Sequence, residues 1–160
     1  MGVISKLLFV PGLDGAAPVL FAGAMGNPAQ PNAYRGLFRS ADAGGNWEQV
    51  LLPNDSAGVT DLLYDPDTEA IYAAAWQRTR NSTASEVWGP HCRIWKSVDN
   101  GTNWQALPNP WGQGERGRIG LAHSSQGVYA LVVGQDSQLD NLYRTTDGGE
   151  TWSAVIPEEN

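Results

Sequence analysis

The sequence predicts an all-β chain made of three repeated, four-stranded antiparallel units. Three observations predict it. The eight-residue pattern SADAGGNW at 40–47 returns as SVDNGTNW at 97–104 and as TTDGGETW at 145–152. Short apolar runs flank each copy in the same order. No segment sustains the apolar spacing of three and four residues that an amphipathic helix needs.

The first strand of the first unit lies in ISKLLFVPG (4–12), which aligns with VTDLLYDPD (59–67) through its paired leucines, its aromatic and its proline. RIGLAHSSQ (118–126) is a weaker third copy. Second strands follow in PVLFAGA, AIYAAAW and GVYALVV, then loops of variable length. Third strands, GLFRS, CRIWKS and NLYRT, run into the eight-residue pattern, and its Trp opens the fourth in WEQVLLP, WQALPN and WSAVIP. From Asp42 to Asp99 is 57 residues and from Asp99 to Asp147 is 48. Four strands repeated at about 50 residues mark a β-propeller blade. The blades run about 1–55, 56–110 and 111–160, within one domain's length of chain.

Composition excludes several function classes. Ten Lys and Arg stand against 17 Asp and Glu, a net charge of −7, which opposes a phosphate backbone and argues against nucleic-acid binding. Charged residues make up 17% of the chain and no long apolar run occurs, so a soluble protein without a membrane partner is expected. KLLFVPG followed by AGA at 22–24 resembles a leader, but Pro11, Gly12 and Asp14 interrupt the apolar stretch, so two strands and a turn are the better reading. The single Cys92 has no disulfide partner and suits a reducing compartment or a bacterial protein. His91, Cys92 and His123 do not have metal-ligand spacing, and no phosphate loop or dinucleotide fingerprint occurs, so neither metal nor cofactor is expected.

The repeated pattern lies where the third strand turns into the fourth, so it is a hairpin turn. Ser40, Ser97 and Thr145, with Asp42, Asp99 and Asp147, can hydrogen-bond nearby backbone N–H groups and hold that turn closed. Gly44, Gly101 and Gly149 stand where a positive φ is needed. Trp47, Trp104 and Trp152 are expected to fold back onto their blades, burying about 150–250 Å² each.

Serine or threonine, aspartate two later, glycine two after that and tryptophan three further on is the pattern of the Asp box, or bacterial neuraminidase repeat. All three copies match it. With IYAAAWQRTR, RIWKSVDNGTNW, GRIGLAHSS and LYRTTDGGETW, the chain resembles the sortilin-like and xyloglucanase-like propellers, often called BNR-repeat glycosyl hydrolases, over essentially its whole length. The resemblance implies a propeller fold and a structural role for the boxes, on the face away from the ligand site. Asp42, Asp99 and Asp147 are therefore not expected to be catalytic.

Function is expected on the opposite face, in the loops after second and fourth strands. QRTRNSTASEVWGPH carries Arg78, Arg80, Glu86, Trp88 and His91, and PWGQGERGR carries Trp111, Glu115, Arg116 and Arg118. Indole rings beside arginine and carboxylate suit sugar binding, with a ring face to stack on and charged groups for hydroxyls. The other reading is that Trp88 and Trp111 anchor long loops while Arg and Glu pair in solvent. A glycoside hydrolase would need two carboxylates about 5–10 Å apart, for which Glu86 and Glu115 are the candidates and Asp136 and Asp140 the substitutes. The sequence ranks a module binding a glycan or protein above an enzyme, and both stand beside a purely structural, assembly role. Three blades cannot close a ring, so a homodimer completing a six-bladed ring is expected, with a fragment of a longer propeller as the competing reading.

Overall fold

The computed structural model describes residues 3–12 and 17–156, and among them no helix occurs. The first sheet is β1 (Val3–Val10), β2 (Val19–Gly26), β3 (Gly36–Ser40) and β4 (Glu48–Leu51), in that spatial order. The second begins with β5 (Ala57–Asp65) and β6 (Ala70–Gln77). A small hairpin of β7 (Thr79–Arg80) and β8 (Ser85–Glu86) then interrupts it before β9 (Ile94–Ser97) and β10 (Gln105–Ala106) complete the order β5-β6-β9-β10. The third is β11 (Ile119–Ser124), β12 (Gly127–Val133), β13 (Leu139–Thr145) and β14 (Ser153–Ala154). Every pairing is antiparallel, so each sheet is a four-stranded meander.

Residues 13–16 of the expected first turn, and Pro157 at the end of WSAVIP, lie outside the described residues. The fourth strands differ from expectation. They start one residue after the box Trp, and β10 and β14 have two residues each, because they are the outermost and least enclosed strands.

The core lies between sheets rather than within them. Phe21, Leu37 and Val10 of the first sheet pack with Val59, Leu62, Ile71 and Ala73 of the second. Tyr72, Ala74 and Ile94 of the second pack with Ile119, Val128, Ala130 and Val132 of the third. The period-two alternation of the strands therefore places one apolar set on each side of the middle sheet. Asp61 joins all three sheets at their first strands, accepting Lys6 Nζ from β1 at 3.2 Å and the Leu121 N–H of β11 at 2.9 Å.

The boxes are hairpin turns with a shared hydrogen-bond plan. The hydroxyls of Ser40, Ser97 and Thr145 accept the N–H of Gly44, Gly101 and Gly149 at 2.8–3.0 Å. They also donate to Oδ1 of Asp42, Asp99 and Asp147 at 2.8–2.9 Å. Each carboxylate then takes the N–H of Asn46, Asn103 or Thr151, the residue before the Trp, at 2.8–3.0 Å. Gly44, Gly101 and Gly149 have φ of 93°, 78° and 96°, the left-handed region that other residues enter at a cost.

The tryptophans of the second and third boxes reach beyond their own blades. Trp104 packs into the cluster between the first and second sheets, and Trp152 into the one between the second and third. Trp47 is 42% exposed. The turn aims each indole past its own sheet toward the neighbouring one.

Candidate functional site

The loops after second and fourth strands leave the sheets on the face opposite the boxes. Arg35, wholly buried, organises them near the first blade. Its guanidinium donates to the carbonyls of Ser56 at 2.9 Å and of Asn27 and Arg78 at 3.0 Å, and more weakly to Gln30 at 3.4 Å. Burial works against its charge and Asp55 partly offsets that. The residue was not among the sequence candidates, since a lone Arg after a strand carries no pattern.

In the second blade, Trp76 at the end of β6 anchors the long 77–93 excursion. Its indole N–H donates to the Val87 carbonyl at 2.8 Å, and the guanidinium carbons of Arg78 and Arg118 lie 5.6 and 5.8 Å from its ring centroid. Arg78 also donates to the Glu86 carbonyl at 3.0 Å, holding the β7–β8 hairpin. Arginines from two of the predicted loops thus meet on the indole that ends the expected second strand AIYAAAW.

The excursion bridges to the 109–118 loop through the backbone of Gly89 and Arg116. Between them lies a cleft of about 320 Å³, whose walls include Pro90, Arg93, Asn109, Trp111, Gln113 and Glu115. Trp111 is half-buried, packs against the core between the second and third blades, and donates its N–H to Gly114 at 3.0 Å. Asn109 Oδ1 is buried with no hydrogen-bond partner. Among the predicted residues, Trp111 and Glu115 line this cleft, whereas Arg78, Arg80, Trp88, His91 and Arg116 do not. Trp88 adjoins it at Gly89 and is 38% exposed. Arg80 is exposed, and the backbone N–H of half-buried His91 meets Gln77 Oε1 at 3.4 Å. Arg116 is held by Asp140 at 2.7 Å, and Asp140 also accepts the Tyr143 hydroxyl at 3.0 Å, so that carboxylate is committed to an ion pair. Asp136 closes a turn on the Gln138 N–H. Glu86 is exposed on β8, apart from the residues lining the cleft. Cys92 is buried beneath the cleft, and desolvation pushes its thiol up to about 11.

On the box face, His123 Nε2 lies 3.2 Å from both Asp65 and Asp67. Among the described residues this is the group of three whose donor atoms come close enough to hold a metal ion, all within 4.8 Å of one another. Linear spacing could not reveal it, because the three come from two blades. A bridging histidine accounts for the geometry as it stands, and the Asp65 carboxylate already accepts the Asp67 N–H at 2.9 Å and the Thr68 hydroxyl at 2.6 Å.

A family model described as the BNR/Asp-box repeat matches residues 143–154. The chain carries Asp-box repeats on propeller blades. Its relatives include a xyloglucanase from Paenibacillus sp, 29% identical over 74% of this chain and 13% of the relative. Another is a xyloglucanase from Acetivibrio thermocellus, 26% identical over 85% of this chain and 18% of the relative. The Asp-box chain therefore spans less than a fifth of the length of these two enzymes. Among solved structures, the GH74 xyloglucanase of Xanthomonas campestris superposes with a TM-score of 0.65 at 21% identity, covering 98% of this chain and 22% of that one. The GH74 enzyme of Niastella koreensis gives 0.61 at 16% identity, covering 96% and 22%. These likenesses establish the propeller fold across all three Asp-box blades.

Proposed function

We propose that these blades belong to a glycoside-hydrolase-related propeller and bind a xyloglucan-type polysaccharide on the loop face, without supplying a catalytic pair of their own. The observation that carries the reading is the loop-face cleft itself, whose walls bring Trp111 together with Gln113 and Glu115. A sugar presents both an apolar ring face for an indole and hydroxyls for amide and carboxylate groups. Relationship to two xyloglucanases supports this choice of polymer. Against catalysis by this chain stands the placement of its carboxylates, with Asp140 tied to Arg116 and Glu86 outside the cleft. A protein ligand on the same face is the reading this displaces.

Calorimetric titration of the chain with a xyloglucan-derived oligosaccharide tests it. Binding is expected, weakened at least about 5-fold by Trp111→Ala and by Glu115→Ala, the equivalent of about 1 kcal/mol each. No new reducing ends should appear on prolonged incubation. Absence of binding by the folded chain, or binding that both substitutions leave unchanged, would remove the proposal.

A further inference from the structure

The first junction, between the first and second blades, and the second junction, between the second and third, use the same positions with different chemistry. Register makes Val10, Phe21 and Tyr64 at the first equivalent to Asp65, Tyr72 and His123 at the second. At the first junction Val10 and Phe21 are buried in an apolar cluster and Tyr64 packs against it. At the second the same places hold a carboxylate, a phenol and an imidazole. Hydrocarbon at the first two of these places already joins two blades of this chain, so packing alone does not call for the polar set.

Asp65, Asp67 and His123 wall a cavity of about 250 Å³ on the box face of the second junction. His123 Nε2 is 3.2 Å from an oxygen of each carboxylate. Donor atoms held at about 2.0–2.2 Å by a tetrahedral zinc ion stand about 3.4 Å apart, so these three need little movement to share one ion. The Thr68 hydroxyl and the Asp67 N–H already orient Asp65, as outer partners of a metal-bound carboxylate do. Tyr72 points to the same place independently. It is wholly buried and lines the same cavity, and its hydroxyl has no hydrogen-bond partner. The hydroxyl end is the one at the cavity, because a Cβ on Gly148, another lining residue, would stand 3.7 Å from that oxygen. A buried hydroxyl without a partner is rare and loses its hydration uncompensated. Lys96, whose ammonium bonds the Gly148 carbonyl at 2.9 Å, does not line the cavity, so the charges at its wall are the two carboxylates and any on the imidazole.

We propose that Asp65, Asp67 and His123 bind a divalent transition-metal ion of the zinc class, with the Tyr72 hydroxyl donating to a water on that ion. The donor set selects the class. Imidazole beside carboxylate suits zinc and its neighbours, whereas calcium and magnesium take oxygen ligands. Three protein donors leave the fourth position of a zinc ion to water, and that water offers the acceptor that Tyr72 lacks. The ion takes the place of the proton that Nε2 otherwise shares with the carboxylates, and its charge offsets theirs. Asp65 and Asp67 belong to the second blade and His123 to the third, so the ion ties the two blades together, on the face opposite the loop cleft.

Titration of the chelator-stripped 160-residue chain with Zn²⁺ and, separately, with Ca²⁺ tests the proposal, read by calorimetry and by NMR of the histidine rings. One Zn²⁺ per chain is expected at micromolar affinity or tighter, with Ca²⁺ at least about 100-fold weaker. The chain has two histidines, so the ring signals of His123 should shift with Zn²⁺ while those of His91 stay in place. His123→Ala should weaken binding at least about 100-fold, and Tyr72→Phe, which keeps the ring, about 10-fold. Saturating Zn²⁺ should raise the thermal midpoint of the unaltered chain and leave that of His123→Ala where it was. Where a variant does not fold, the histidine signals of the unaltered chain decide. Absence of zinc binding, Ca²⁺ bound as tightly as Zn²⁺, or a shift at His91 in place of His123 overturns the proposal. So does a folded His123→Ala or Tyr72→Phe chain that binds Zn²⁺ as the unaltered chain does.

Discussion

The ring of Trp104 stands edge-on to Phe21, 6.4 Å between centroids and 81° between planes, so the second Asp box is pinned to the first blade as well as to its own. Such a contact adds a favourable aromatic pair to the burial of two large side chains. It makes the box a device for joining blades as well as for closing a turn. Trp104→Ala should therefore destabilise the chain by about 3–5 kcal/mol in urea, the range for buried aromatic truncations, and should loosen the first junction selectively. Hydrogen exchange should accelerate in β2 and β9 before β12 if that is right.

Gly101 and Gly44 separate the turn from the junction. Both need a left-handed backbone, so alanine at either carries about 1–2 kcal/mol of backbone strain. Only at Gly101 would the new Cβ also overlap the Phe21 ring. Gly101→Ala should cost about 1–3 kcal/mol more than Gly44→Ala, the usual penalty of overpacking. Equal midpoints in denaturant for the two variants would contradict the interblade packing.

The box carboxylates make stability depend on acid. Hydrogen bonds from the backbone N–H of Asn46 and of Asn103 hold Asp42 and Asp99 down at about 2. Asp147 sits lower still, chiefly through the Thr151 hydroxyl. An unfolded aspartate titrates near 3.9. Depressed folded values mean that this contribution is fully present above about pH 4 and is lost as pH falls toward 2. The urea midpoint should drop over that window, and less steeply in a variant with Asn at 42, 99 and 147. Asp99→Ala by itself should cost about 1 kcal/mol or somewhat more while leaving sugar binding intact.

Arg35 holds the loop face of the first two blades through carbonyls alone. Arg35→Met keeps the stem and removes its hydrogen bonds to the Ser56, Asn27 and Arg78 carbonyls, of which Ser56 and Asn27 keep the Arg78 N–H and the Asn32 side-chain amide. A loss of about 3 kcal/mol is expected, as for charge-assisted hydrogen bonds in a buried setting. Faster exchange at the Asn32 and Arg80 amides, which bond to the Asp55 and Pro28 carbonyls, would report the loosened loops.

Cys92 should resist thiol reagents in the folded chain. Its sulfur is buried, accepts the Gln77 N–H at 3.2 Å, and has its pKa raised to about 11 by desolvation. Modification at pH 8 should follow the unfolding equilibrium, with rapid reaction only in denaturant.

The sequence alone determined the all-β class, the three four-stranded units and the structural nature of the boxes. These properties rest on local chemistry, such as strand alternation, turn hydroxyls and a glycine at positive φ, which neighbours along the chain specify. Asn46, Asn103 and Thr151, which bond the box carboxylates, were not legible, because the Asp-box pattern leaves that position open. The loop face was legible as a place but not as a site. Arg78 and Arg118 were visible as charges, but their meeting on Trp76 depends on how two loops cross. Only the tertiary structure decided that Trp104 reaches the first blade, that Trp47 stays partly exposed, and that Trp111 and Glu115 share a cleft. The physical reason is that the apolar core of these blades lies between sheets about 50 residues apart in sequence, so partners there are chosen by sheet stacking and register, which no local pattern encodes.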